Sequence, residues 1–327
     1  MATVNQSSGI LEVDRQRILV TGSYGLIGGA VISALAGRGA QTRGIDIRGI
    51  RGSRGDILDP VMLRKAMAGV TGVIHLAAVS RVIWGERDPT ACLKTNVEGT
   101  QGVIECLRDV APHAWLVLAS SREIYGQSAR LPVTEDQLAR PMNTYARSKL
   151  AAERAVENAR HDGLRAAILR FSTVYGTVTD HPDRLVPAFC RAAIEGRALH
   201  VEGTENCVDI THVRDVARAI TDVAERLCAG AALPVMHLTT GSATPLVELA
   251  RMVIDLARSR SPIRVMPPRH YDVSRFVGDP SRATACIGWQ PRIGLEAGIT
   301  ELIDAIRAQA RQPAPLARHV AASQSAS

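Results

Sequence analysis

The chain has 327 residues, 46% of them hydrophobic and 22% charged, with a mean hydropathy near zero. This excludes a disordered or fibrous chain, and a protein of this size buries enough surface to fold without disulfide or metal staples. The net charge of +7 is spread along the sequence, and only three of its 39 cations are lysines (Lys65, Lys94, Lys149), so it reads as compositional bias and not as a basic arm. Aromatic residues make up 3%, which leaves few stacking platforms for nucleic acid. The six cysteines are scattered, without a C-x-x-C pair, and read as reduced thiols; no metal site is expected. No apolar run is long enough for a membrane span. Glu12, Asp14, Arg15 and Arg17 stand where an export signal needs an apolar core, so a cytoplasmic protein is expected.

In chain order, residues 17–21 predict a strand, 26–39 a helix, 42–46 a strand and 72–77 another. A long helix over 89–110 precedes a buried strand at 115–120, a helix over 144–162 and a strand over 165–171. Alternation of this kind predicts an α/β fold, a doubly wound parallel sheet with helices on both faces. After Tyr175 prolines punctuate shorter elements, with strands expected at 208–212 and 235–239 and a helix over 213–227. The expected division is a cofactor domain over 15–175, with 208–239 returning to its sheet. Residues 176–207 and 240–312 would form a smaller C-terminal lobe, and 1–14 and 313–327 frayed tails.

The turn after the first strand reads Thr21-Gly22-Ser23-Tyr24-Gly25-Leu26-Ile27-Gly28. Glycines so spaced permit a tight turn and close approach of backbone to a pyrophosphate, at which the helix N-terminus aims its free N–H groups. Asp46 ends the second strand, where a carboxylate accepts hydrogen bonds from an adenosine ribose and repels a 2′-phosphate. NAD is therefore favoured over NADP. Arg48 pulls the other way, since an arginine there can hold the extra phosphate. Asp56 suits an adenine contact, or is a plain loop aspartate; Ile57 beside it joins the expected cofactor contacts, with Tyr24, Leu26 and Ile27 of the glycine turn.

Tyr145 and Lys149 open the 144–162 helix, and their i, i+4 spacing puts them on one face. An ammonium close to a phenol, together with a positive nicotinamide ring, stabilises the phenolate. Tyr145 can then accept a proton from a sugar hydroxyl as hydride leaves the carbon. Ser121, at the C-terminal end of the 115–120 strand, faces the crevice where such sheets bind ligands and can hydrogen-bond the reacting oxygen.

Together with His75-Leu76-Ala77-Ala78, Asn96-Val97-Glu98-Gly99-Thr100, Ser120-Ser121-Arg122-Glu123-Ile124-Tyr125-Gly126 and the run from Leu169 to Gly176, these motifs resemble the extended short-chain dehydrogenase/reductases. Those are NAD-dependent nucleotide-sugar epimerases and dehydratases. The resemblance implies that Leu76, Ala77 and Ala78 line the cofactor and that Asn96 supports the helix behind it. It implies a catalytic group of Ser121, Tyr145 and Lys149, a substrate site touching Ser80, Ser121, Arg122, Ser172 and Arg269, and a homodimer packed through the two long helices.

Three positions refine this expectation. Glu123 stands where the dehydratases and decarboxylases of that family carry a carboxylate, which removes the proton beside a newly formed ketone; alternatively it pairs with Arg122, Arg147 or another cation. Arg122 occupies the place of an acid in the 4,6-dehydratases. Val208 replaces the arginine that usually grips the nucleotide diphosphate, leaving Arg269, with Asp272 beside it, as the remaining phosphate anchor. The leading expectation is a dehydratase acting on a nucleotide sugar or nucleoside by transient oxidation at C4. A 4-epimerase comes second, a decarboxylase third, and an NAD-sensing regulator is the non-enzymatic alternative.

Overall fold

A computed structural model of the chain describes residues 16–50 and 52–311, so the tails expected at either end lie outside the described residues. The first half runs β1 (Arg17–Thr21), α1 (Leu26–Ala36), β2 (Gln41–Ile45), α2 (Pro60–Met67), β3 (Gly72–His75), α3 (Val82–Arg87) and α4 (Pro89–Leu93). A π-turn (Lys94–Glu98) leads into α5 (Gly99–Val110), then β4 (Trp115–Ser121), a 3-10 turn (Arg122–Tyr125), α6 (Thr144–His161) and β5 (Ala166–Phe171). Every residue of β3, β4 and β5 is buried, as central parallel strands covered on both faces require.

The second half continues with β6 (Thr173–Tyr175), α7 (Leu185–Ile194), β7 (Leu199–Glu202), β8 (Cys207–Val208), β9 (Ile210–His212) and α8 (Val213–Cys228). It ends with β10 (Met236–Leu238), β11 (Thr244–Pro245), α9 (Leu246–Leu256), β12 (Ile263–Met266), α10 (Ser281–Ile287) and α11 (Leu295–Arg311). The central sheet is parallel throughout, in the order β2-β1-β3-β4-β5-β10. One face carries α1 and α8 over Ile18, Val20, Val117 and Leu169; the other carries α2, α5 and α6 over Leu19, Val73, Leu116 and Ile168. A third core gathers buried side chains of α7, α9 and α11.

Two segments differ from the sequence expectation. The long 89–110 helix is interrupted by the π-turn at Lys94–Glu98, which widens the backbone around Asn96. The strand expected at 208–212 stays off the central sheet and breaks at Asp209. Its two halves pair separately, β8 with β11 and β9 with β6. Asp209 is buried, and its carboxylate accepts from the Thr240, Gly241 and Gly278 amides, which draws the chain out of strand geometry.

Candidate active site

The turn between β1 and α1 is flat because its glycines lack side chains. Gly22 has φ +70°, and a Cβ there would stand 2.7 Å from the Ala77 amide nitrogen; a Cβ on Gly28 would stand 2.2 Å from the Gly22 carbonyl oxygen. The empty space becomes a groove. Gly25, Leu26, Ile27 and Gly28 line a candidate catalytic cavity on one side. On the other, Asp46, Arg48, Asp56, Ile57 and Ala77 line an adenosine-sized cavity, with Gly22, Gly25, Leu76, Ala78 and Ser80 shared between the two. Asp46 is buried, its carboxylate accepting from the Tyr24 and Arg48 amides at 2.9 and 2.8 Å. Arg48 folds its Nε to 3.5 Å from the same carboxylate, which reduces its capacity to hold a 2′-phosphate. Tyr24 contributes its amide, while its hydroxyl accepts from Ser53. The cradle fits a dinucleotide.

Across the catalytic cavity, α6 begins beside the end of β4. Asn143 caps the helix by accepting from the Ala146 amide at 2.7 Å, and Glu86 of α3 accepts the Thr144 amide at 2.8 Å. These bonds set the first turn, so that Ser121, Tyr145 and Lys149 face one space. Lys149 Nζ donates to the Ala119 carbonyl at 3.0 Å and lies 5.9 Å from the centre of the Tyr145 ring. Burial pushes the Tyr145 phenol up to about 12, against a hydrogen bond from Ser121, and pushes Lys149 down to about 8. Desolvation therefore outweighs the Ser121 hydrogen bond that favours the phenolate, and the support expected of Lys149 from the i, i+4 spacing is not what sets the phenol here.

Glu123 borders the catalytic cavity and a third cavity beyond it. Its Oε1 lies 3.2 Å from Arg122, its Oε2 accepts from Asn143 Nδ2 at 3.3 Å, and burial raises its pKa. Arg147 turns to Thr144 and Met142 instead. The third cavity is lined by Val208 and by Arg269, whose guanidinium pairs with Glu202 and Asp272 at 2.7 Å. Ser172 lines the catalytic cavity and donates to the Asp209 carbonyl. Asn96 stands behind the wall, bridging Val79 and Ser148.

Four residues here escaped the sequence reading. Trp84 and His181 wall the adenosine-sized cavity with their rings edge to face, and Arg184 donates to Ser80 between the cavities. Asn143 holds Glu123. Of these only Asn143, just before a helical run, carried a capping signal.

The model of the NAD dependent epimerase/dehydratase family matches residues 18–234. The chain belongs to that family. UDP-glucuronate 4-epimerase 5 of Arabidopsis thaliana is 28% identical over 324 residues, covering 88% of this chain and 74% of its own. The dTDP-glucose 4,6-dehydratase of Streptomyces griseus is 28% identical over 309 residues, covering 88% and 92%. Among solved structures, MoeE5 in complex with UDP-glucuronic acid and NAD matches with a TM-score of 0.82 and 29% identity, over 90% of this chain and 99% of that one. This member of the epimerase/dehydratase family is thus an NAD-dependent enzyme. Among the described residues no helix is long and apolar enough to cross a membrane.

Proposed function

We propose that the protein is a nucleotide-sugar 4-epimerase. The observation that carries this reading is the state of Glu123, with one oxygen on Arg122 and the other on Asn143. Elimination of water needs a free base and a proton donor beside it. Here the base is occupied and a guanidinium stands in the donor's place. Epimerisation needs neither. Kinship does not separate the two reactions, since a 4-epimerase and a 4,6-dehydratase match this chain at the same identity over the same share of it.

Gly22, Gly25, Gly28 and Asp46 would hold NAD, which when bound supplies a reversible hydride acceptor and a positive charge. Tyr145 takes the proton from the sugar's C4 hydroxyl and returns it to the same oxygen once the keto-sugar has turned its other face and C4 has been reduced again. Lys149 steadies the phenolate while it remains charged, and Ser121 keeps a hydrogen bond to the reacting oxygen throughout. The third cavity, with Arg269 at its border, takes the nucleotide.

Dehydration is the second reading. It is favoured by the burial of Glu123, which raises its pKa toward that of a working acid or base. Mass spectrometry after incubation with UDP-glucuronate, UDP-glucose and dTDP-glucose separates the two. An isomer of unchanged mass, with most activity kept in Glu123→Gln, is expected. A product lighter by one water, abolished in Glu123→Gln, makes the enzyme a dehydratase.

A further inference from the structure

Behind the candidate site lies a buried charge cluster that the reaction just described does not use. Arg170 of β5 and Glu153 of α6 are both buried. The guanidinium meets the carboxylate as a fork, Nε to Oε1 at 2.9 Å and Nη2 to Oε2 at 2.7 Å. Its Nη1 donates to the Tyr125 hydroxyl at 2.6 Å and to the Glu135 carbonyl at 2.9 Å. A guanidinium only donates, so the Tyr125 hydroxyl gives its own proton to His237 Nε2, 2.6 Å away. Burial pushes His237 down to about 3, which leaves its ring neutral and able to accept.

These partners belong to the two segments that carry the reacting set. Tyr145, Lys149 and Glu153 follow one another at four-residue steps along α6, which puts them on one face. Tyr125 closes the 3-10 turn that begins directly after Ser121. Arg170 itself lies beside Ser120 in the register of β4 with β5. One side chain thus ties the helix bearing Tyr145 and Lys149 to the turn leading out of Ser121. Stability is a weak reason for such a pair. Desolvation of two buried ions offsets most of their attraction, and apolar side chains of similar volume often serve as well. What a fork adds is a fixed angle and distance.

We propose that Arg170 is a positioning residue: through Glu153 and Tyr125 it sets where Tyr145 and Lys149 stand relative to Ser121. Arg170, Glu153 and Tyr125 line none of the three cavities, so the effect passes through the residues they hold. The proposal rests on Ser121, Tyr145 and Lys149 being the reacting set. It holds for epimerisation and dehydration alike, since both begin with the same oxidation at C4.

The test replaces the pair together, because removing one member leaves a lone buried charge that destabilises the fold by itself. The double variant Arg170→Met, Glu153→Leu is compared with wild type, Glu153→Gln and Tyr145→Phe. Turnover of UDP-glucuronate, UDP-glucose and dTDP-glucose is followed by mass spectrometry, Tm by calorimetry and NAD content by absorbance after denaturation. The double variant should keep the wild-type Tm, NAD content and KM and lose about 100-fold in kcat. Glu153→Gln, which leaves the fork one acceptor, should fall between. A fully active double variant, or a kcat that falls only in step with Tm across both variants, would overturn the proposal. Turnover by Tyr145→Phe at the wild-type rate would overturn the reacting set on which it rests. If wild type converts none of the three sugars, the nucleotide-sugar reading falls, and positioning is read without substrate. The ultraviolet titration of Tyr145, taken as the difference between each protein and its Tyr145→Phe counterpart, should then move in the double variant; an identical titration counts against Arg170.

Discussion

Tyr145 and Lys149 show how one cavity sets two opposed demands. Burial excludes water from the Tyr145 hydroxyl, yet it holds the phenol near 12 and the ammonium near 8. Removal of the hydroxyl in Tyr145→Phe should cut turnover by about 10²- to 10⁴-fold. The NAD released from denatured variant should match wild type, since the glycine turn and Asp46 are untouched. For Lys149 the folded pKa lies below the unfolded value near 10.5, so between about pH 8 and 10.5 the unfolded chain binds more protons. Wild-type stability therefore rises with pH across that window, and below it the buried charge costs on the order of 3 kcal/mol. Lys149→Met should be inactive yet more stable than wild type near neutral pH, with an advantage that shrinks toward pH 10 in urea titrations. Both residues were legible from their spacing and from the rarity of lysine. Their protonation states were not, because desolvation depends on what folds over them.

At the scale of elements, the glycine turn and the broken strand around Asp209 make sharper demands than propensity does. The Gly28 Cβ position is 2.2 Å from a backbone oxygen, which cannot swing away as a side chain can. Gly28→Ala should shift the first turn of α1 and abolish NAD retention, seen as absent nicotinamide absorbance in purified protein. Asp209 accepts from the amides of Thr240, Gly241 and Gly278 and from the Thr240 hydroxyl, joining β8 and β9 to the loop after β10 and to the segment before α10. Asp209→Ala leaves those donors without their acceptor and should cost about 4 kcal/mol in chemical denaturation. The sequence period predicted a continuous strand here, because apolar alternation cannot register an aspartate whose partners lie 31 to 69 residues away. The π-turn at Lys94–Glu98 was hidden for the same reason. Asn96 ties to Val79 and Ser148, both remote in sequence.

For the molecule as a whole, the central sheet is not closed by its first 175 residues. Val216, Ile220, Val223 and Leu227 of α8 cover the face that carries Ile18, Val20 and Val117, and β10 pairs with the outer edge of β5. A fragment ending at Tyr175 leaves that face and edge bare and should be insoluble, or lack the near-ultraviolet circular dichroism of the full chain. The exposed Leu93 with the half-buried Leu150 and Ala151 leaves apolar surface on α4 and α6. The expected homodimer would cover it, and a monomer in light scattering at micromolar concentration would remove that expectation.

What the sequence by itself determined was the alternating parallel architecture, the glycine turn with its Asp46 partner, and the Ser121, Tyr145 and Lys149 set. Each depends on residues close in the chain or on a strand–turn–helix context that local pattern encodes. What only the tertiary structure decided was how charge is shared around the candidate site: Glu123 held between Arg122 and Asn143, Arg122 left with an unused donor, and Arg184 brought beside Ser80. Those relations join β4, α6 and the loop before α7 across a cavity. They depend on distance and desolvation, and neither exists until the sheet has brought the separate segments together.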